Sequence, residues 1–255
     1  MALKLQRVSL YLTLALSLMF SITIASAAEQ NPCAEIISLL GDVEIKPAKE
    51  GNFHKAELRA KLYVRDIIRT KEKSRARLFF KDETILILGA NAQVEISEFR
   101  LEAGSRQGLL SLLEGSMRFI VHKFYGAAEP DFKIGTDTAI LGIRGTDGAV
   151  EKRSPTIVYV YLLEAAKPLQ VISKSTGQSL DLLPNYMVKV EQGKRLTQVQ
   201  MPPAIMKELR ETFEAAGVLF PKRMEERYWS PRRELPYNNI YQPPLPTIHH
   251  GFTVH

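Results

Sequence analysis

Between residues 36 and 190 the chain repeats one pattern in short runs: apolar and polar side chains alternate. Ala76, Leu78 and Phe80 alternate with Arg75, Arg77, Phe79 and Lys81. Met117, Phe119 and Val121 face away from Arg118 and His122. Successive side chains of an extended strand point to opposite faces, so runs of this kind bury one face as β-structure. The pattern predicts strands over Ile36–Ile45, Leu58–Thr70, Arg75–Lys81, Thr84–Leu88, Gln93–Ser97, Leu109–Leu113 and Met117–Val121. It continues with Asp131–Ile134, Thr156–Leu163, Leu169–Ile172 and Tyr186–Val190. Helical periodicity is nearly absent before residue 200. The expected fold is all-β: an antiparallel sandwich, a barrel or a compact β-solenoid.

Three segments echo one another: Ser38–Ile45 (SLLGDVEI), Ser111–Ile120 (SLLEGSMRFI) and Tyr161–Val171 (YLLEAAKPLQV). Each reads as a strand ending in Leu-Leu, a turn and another strand, the outline of a repeated hairpin.

The ends of the chain differ from its middle. Lys4 and Arg7, the apolar run Leu10–Phe20 and the small residues Ala25-Ser26-Ala27 have the layout of a secretory signal peptide over residues 1–27. The apolar run is short for an uncleaved membrane anchor, and no lipoprotein pattern precedes Cys33. A short linker is expected at 28–35 and the β domain at 36–200. Pro202 and Pro203 open a helical segment expected at 201–230, with Ile205, Leu209, Phe213 and Ala216 on one stripe and Gly217 at its end. The proline-rich tail 231–255 is expected to be extended or disordered. No second long apolar run follows the leader, so no membrane span is expected after its removal, and the destination is periplasmic or extracellular. Cys33 is the one cysteine, which rules out an internal disulfide; it reads as a small apolar residue near a loose new N-terminus, or as a thiol for intermolecular pairing.

Charge is unevenly spread. Lys46–Lys81 holds twelve basic and four acidic residues, against a formal net charge of +6 for the whole chain. If Leu58–Val64 and Arg75–Lys81 are strands, Arg59, Lys61, Arg65, Arg75, Arg77 and Lys81 gather on exposed faces. Such a surface fits an anionic envelope polymer, lipid phosphate or acidic protein; the alternative is a solvated face that discourages edge pairing. Nucleic acid is excluded as a partner by export.

The segment Thr138–Val150 (TAILGIRGTDGAV) sets a small-residue turn, Gly142, Gly145 and Gly148, around a lone arginine, Arg144. Arg144 either offers its guanidinium to an anion or acts as an internal strut on loop carbonyls or on Asp66, Asp137 or Asp147. In the second case Thr146 caps or pins the turn. Catalytic patterns are missing: His54 and His122 sit in no HExxH, and there is no GxSxG or Cys-rich metal pattern. No enzyme activity, cofactor or metal is expected. Tail histidines His249, His250 and His255 read as solvated, and Tyr159 and Tyr161 share one strand face.

The order of motifs from Leu39 to Leu196 resembles the FecR-type domain, the periplasmic module first known from iron-dicitrate sensing. The resemblance rests on Gly41–Ile45 (GDVEI), on Leu62, Asp66, Ile68 and Thr70, and on Ala76–Phe80 with Asp82. It extends through Ile85–Ile96 (ILILGANAQVEI), Leu112–Val121 (LLEGSMRFIV) and Ile140–Val150, the last similar to the family's Val-Arg-Gly-Thr signature formed here around Gly142, Arg144, Gly145 and Thr146. Departures are Arg65 at a usual glycine, Glu83 after Asp82, Gly148 where an aromatic is common, and Ala165 and Pro184-Asn185 for glycines. Asp-Glu does not suit a tight primed turn, so the turn at Asp82-Glu83 should be longer or of another type. The chain is read first as a non-catalytic exported module of this type that binds a protein or an envelope component; the resemblance suggests a sensor or regulator of envelope signalling as the alternative, and an enzyme with an unrecognised site is the remaining one. A regulator of that family normally has a cytoplasmic segment and a span where this chain shows a leader, so direct signalling across the membrane is not expected.

Overall fold

The computed structural model describes residues 31–103, 105–122 and 131–214; the leader and the proline-rich tail lie outside them. In chain order the strands are β1 (Ala34–Leu40), β2 (Val43–Lys46), β3 (His54–Lys55), β4 (Lys61–Leu62), β5 (Ile67–Thr70) and β6 (Arg75–Phe80). Then come β7 (Ile85–Leu88), β8 (Gln93–Glu102), β9 (Ser105–Val121), β10 (Phe132–Gly135), β11 (Ala139–Ile143) and β12 (Thr146–Ser154). The rest are β13 (Ile157–Ala165), β14 (Leu169–Ser173), β15 (Ser179–Leu182), β16 (Tyr186–Glu191) and β17 (Gln198–Gln200), before helix α1 (Pro203–Glu214). No helix among the described residues is long and apolar enough to cross a membrane.

Pairing sorts the strands into two sheets. Sheet A runs β4-β1-β6-β7-β9-β12-β13-β16-β17. Sheet B runs β3-β2-β5-β8-β9-β10-β11-β14-β15. Strand β9 belongs to both: its first part pairs with β8 and β10, and Gly115–Val121 pairs with β12, so hydrogen bonding joins all the strands into one network. Every pairing is antiparallel except β9 with β10, which departs from the all-antiparallel expectation. Apart from the short edge strands β3 and β4, order across each sheet follows order along the chain. The fold is therefore a sandwich that is wound like a solenoid, so two of the three expected architectures describe the same object.

The core lies between the sheets. From sheet A it takes Ile36, Leu78, Leu86, Phe119, Val150, Val160 and Val188; from sheet B it takes Val43, Ile68, Val94, Leu110, Phe132, Leu141 and Val171. Phe80, Phe119 and Phe132 are fully buried, and each such side chain contributes roughly 1.5–3 kcal/mol. The open ends of the core are closed by loop residues and a short edge strand. Ala56 and Leu62 plug the first end and Leu196 lies in the core from the loop between β16 and β17, as terminal caps do in repeat proteins. A second apolar cluster lies on the outer face of sheet A, where α1 packs.

Left-handed corners explain the glycines. A chain that leaves one sheet for the other must turn sharply, and residues of positive φ make that turn. Gly41 (φ 69°) stands between β1 and β2, Arg59 (φ 67°) between β3 and β4, and Arg65 (φ 76°) between β4 and β5. Lys73, Asn91, Gly145 and Asn185 serve the passages β5–β6, β7–β8, β11–β12 and β15–β16 in the same way. Gly115 (φ 73°) sits inside β9 where that strand changes sheet. Among passages made by described residues, β13 to β14 alone lacks such a residue. The three echoing Leu-Leu segments are all passages between sheets: β1 to β2, the middle of β9, and β13 to β14. They are crossings and not the hairpins expected from sequence. For the same reason the runs Ile36–Ile45 and Leu58–Thr70 are each broken into two strands, whereas Leu109–Leu113 and Met117–Val121 are one strand, β9.

Arginine at the left-handed corner 65 costs roughly 1–2 kcal/mol relative to glycine. Its exposed ion pair with Glu95, at 3.2 Å, is worth under about 1 kcal/mol. Arg65→Gly is expected to raise stability by about 1 kcal/mol, read as a higher denaturation midpoint; a midpoint at or below the wild type would contradict this account of the corner. Turn 81–84 behaves similarly. The Glu83 amide bonds the Phe80 carbonyl at 3.0 Å and the Phe80 amide bonds the Thr84 carbonyl at 2.9 Å. That is a three-residue loop with Glu83 left-handed at φ 68°, longer than a primed two-residue turn, as the Asp-Glu pair required.

Cys33 is not loose. It is 3 % exposed, its thiol donates to the Leu62 carbonyl at 3.3 Å, and its amide donates to the same carbonyl at 2.8 Å. The strand begins at Ala34, so the expected 28–35 linker is already anchored there. Burial pushes the thiol pKa up to about 12, and the thiolate is the reactive form. Native protein near pH 8 is expected to resist iodoacetamide and to alkylate only in denaturant; native labelling at the denatured rate, read by mass spectrometry, would contradict this.

Candidate functional site

The turn Gly142–Thr146 is a passage from sheet B to sheet A. Gly142 is buried in β11 between Lys133 and Gln170. Gly145 is left-handed at φ 64°, and its carbonyl accepts the Ala166 amide at 2.8 Å. Thr146 opens β12 between Val121 and Ala165. Its hydroxyl is buried and has no hydrogen-bond partner among the described residues, so Thr146 holds the turn by packing and strand pairing and not by the expected side-chain cap. Arg144 is half-buried at the corner. The three carboxylates expected as its strut partners are held by other groups. Asp147 takes a bidentate pair from Arg118, at 2.9 and 2.8 Å. Asp137 pairs with Lys152. Asp66 accepts the amides of Tyr63 at 2.8 Å and Ala48 at 3.0 Å. Burial pushes the Asp66 carboxyl up and those amides draw it back.

Gly148 explains its own departure from the family pattern. A Cβ there would lie 2.7 Å from the Tyr161 carbonyl oxygen and 2.8 Å from the Phe119 ring. No aromatic fits without a shift of backbone.

The basic residues do not assemble into one face. Arg59 and Arg65 are left-handed corner residues, because the expected strand Leu58–Thr70 is interrupted. Lys61 pairs with Glu35 at 2.5 Å and Arg65 with Glu95 at 3.2 Å, on different sheets. Arg75 is half-buried opposite Leu40, and Lys81 is exposed at the end of β6. Arg77 is only 7 % exposed, lowered in pKa by burial and then by the charge of Arg118. The alternation in β6 does hold, since Ala76, Leu78 and Phe80 are in the core. What the alternation hid is that the other face of sheet A is also covered.

That outer face has a continuous register: Arg77, Ile87, Arg118, Ala149, Tyr161, Met187 and Val199 lie opposite one another from β6 to β17. Tyr159 and Tyr161 stack with centroids 6.3 Å apart. The Tyr161 hydroxyl donates to Glu151 at 3.2 Å, and burial with the Glu151 charge pushes its pKa above the phenol range. Arg153 reaches Glu151 at 2.6 Å and lies over Tyr159 at 5.9 Å.

Sequence reasoning missed one buried cluster. Arg106 donates to both oxygens of Asp131, at 2.8 and 2.9 Å, to Asp82 at 3.1 Å and to the His122 carbonyl at 3.1 Å. Its side chain is 1 % exposed and that of Asp82 is 0 %. The signal was parity: Arg106 shares its strand face with Gly108, Leu110 and Leu112, all buried, and a charge on an inward face needs a buried partner. Among the described residues no group of three or more His, Cys, Asp or Glu is placed to hold a metal ion. His54 pairs with Glu50 and His122 is exposed; the tail histidines lie outside the described residues.

Residues 66–164, from the corner before β5 through most of β13, match the family described as FecR protein. No curated protein matches the chain in sequence. Two crystal structures of a "putative anti-sigma factor" from Parabacteroides distasonis are similar at 18% identity and a TM-score of 0.46. Each match covers 56% of this chain and 64% of that one, less than two thirds of its length.

Proposed function

We propose that this chain, which carries a FecR-type domain at residues 66–164, is a non-catalytic regulator of envelope signalling that acts by binding another protein. The family match is the observation that carries the reading, and it favours a regulator over a general docking or assembly module. The use of polar groups agrees with it. Arg118–Asp147, Arg106–Asp82–Asp131, Lys152–Asp137 and Tyr161–Glu151 are spent on joining strands. An anionic polymer or lipid fits less well than a protein, because the basic residues are dispersed, paired or buried. In this reading the leader at 1–27, outside the described residues, delivers the β domain to the periplasm.

The test is crosslinking in intact cells, affinity capture of the tagged full chain and transcript profiling after deletion of its gene. The expected result is a specific envelope protein that stays captured in high salt, together with a defined shift in transcripts. Capture without any transcript change would leave docking alone. The absence of both capture and transcript change would end the reading.

A further inference from the structure

We infer that the outer face of sheet A is a receptor for an amphipathic helix of a partner protein, and that α1 is its displaceable resident cover. The face already shows what it accepts. Ile205, Met206, Leu209 and Phe213 of α1 pack on Ile85, Ile87, Ala149, Tyr161, Leu163 and Met187. The seat therefore takes large apolar residues at i, i+4 and i+8 along a helix, the pattern by which helices dock in apolar grooves. All of the seat except Met187 lies within the family-matched span 66–164, whereas α1 lies beyond it.

The cover is held by apolar packing; the Lys207–Glu211 pair is internal to the helix, 3.7 Å long and exposed. The helix has no acidic residue in its first turn and no basic residue in its last. Like most helices in folded proteins, it draws its stability chiefly from the surface it packs on. It is joined to edge strand β17 through Met201 and the Pro202–Pro203 pair, so it can leave without disturbing a strand ladder. Met201 stays anchored by its amide to the Asn185 carbonyl at 2.8 Å. Local opening of such an element costs less than global unfolding, and a helix of matching pattern competes for the seat as α1 opens. The inference rests on the protein-binding reading only for the visitor's origin.

The test begins with hydrogen exchange on the full-length wild type. Amides of α1 are expected to exchange at least about ten-fold faster than those of β7, β12 and β13. Exchange of α1 in step with these strands would overturn the proposal while leaving a captured partner unaffected, so the two readings fail separately. The second arm uses the full chain with Leu209→Asp and Phe213→Asp and a fluorescent peptide of residues 201–214. The uncovered variant is expected to bind the peptide at least about ten-fold more tightly than the wild type, and a peptide carrying the same two substitutions is expected not to bind. A variant that keeps its β spectrum yet ignores the peptide would overturn the proposal. If the variant loses that spectrum, the wild-type exchange result decides.

Discussion

Arg106→Ala is expected to lower the unfolding free energy by about 3–5 kcal/mol, the cost of breaking a buried ion network by removing one member. The mutation strands two carboxylates. Asp82 and Asp131 are 0 % and 8 % exposed at their side chains, and neither can be rehydrated without opening the core. Asp82 would keep the Thr84 amide and hydroxyl, at 3.1 and 2.7 Å, which satisfies hydrogen bonding but does not balance its charge. The network ties the β6–β7 turn in sheet A to β9 and the approach to β10 in sheet B, so its loss loosens both sheets at one end. Chemical denaturation measures the effect. Arg106→Met with Asp82→Asn and Asp131→Asn should recover much of the loss, because a neutral cluster carries no stranded charge. An alanine variant within about 1 kcal/mol of the wild type would show that the arginine is dispensable.

Gly115→Val is expected to cost about 3 kcal/mol or more, from two sources that add. A branched residue at φ 73° is strained by roughly 1–2 kcal/mol. Its Cβ would also lie 2.5 Å from the Asn91 carbonyl oxygen and 2.7 Å from the Ala92 Cα, and forced overpacking of this kind costs roughly 1–3 kcal/mol. The neighbours are backbone, which cannot swing aside as a side chain would. Gly51→Val is the matched control, since no atom lies within 4 Å of its Cβ position. Equal denaturation midpoints for the two variants would refute the crossing as the reason for Gly115.

These two positions show what the chain disclosed before its structure. The inward rows of β6 and β9 were readable from alternation, because burial in a pleated strand follows parity directly. Gly115 was visible as a motif residue, but its role as the point where one strand changes sheet was not. Alternation carries no information about which sheet a strand joins. That choice depends on left-handed corners, and Arg59, Arg65 and Lys73 occupy such corners without a glycine to announce them. The basic surface failed for a related reason. Alternation correctly set Arg75, Arg77 and Lys81 away from the core, yet it could not reveal a helix from residue 203 onward covering the same side of sheet A. The stripe Ile205, Leu209 and Phe213 foretold that the helix would pack, but not on what. Arg144 stays the least legible residue, because the motif marks its place beside the left-handed Gly145 but not the group it meets.

Strand order that follows chain order gives this architecture a way to vary in length. A duplicated segment beginning and ending at equivalent sheet crossings would slide in as an extra rung, pairing with the strands on either side while both end plugs, Ala56 with Leu62 and Leu196, stay in place. Growth or shortening then leaves no new open edge, and a gene can alter the reach of the scaffold without inventing a different fold.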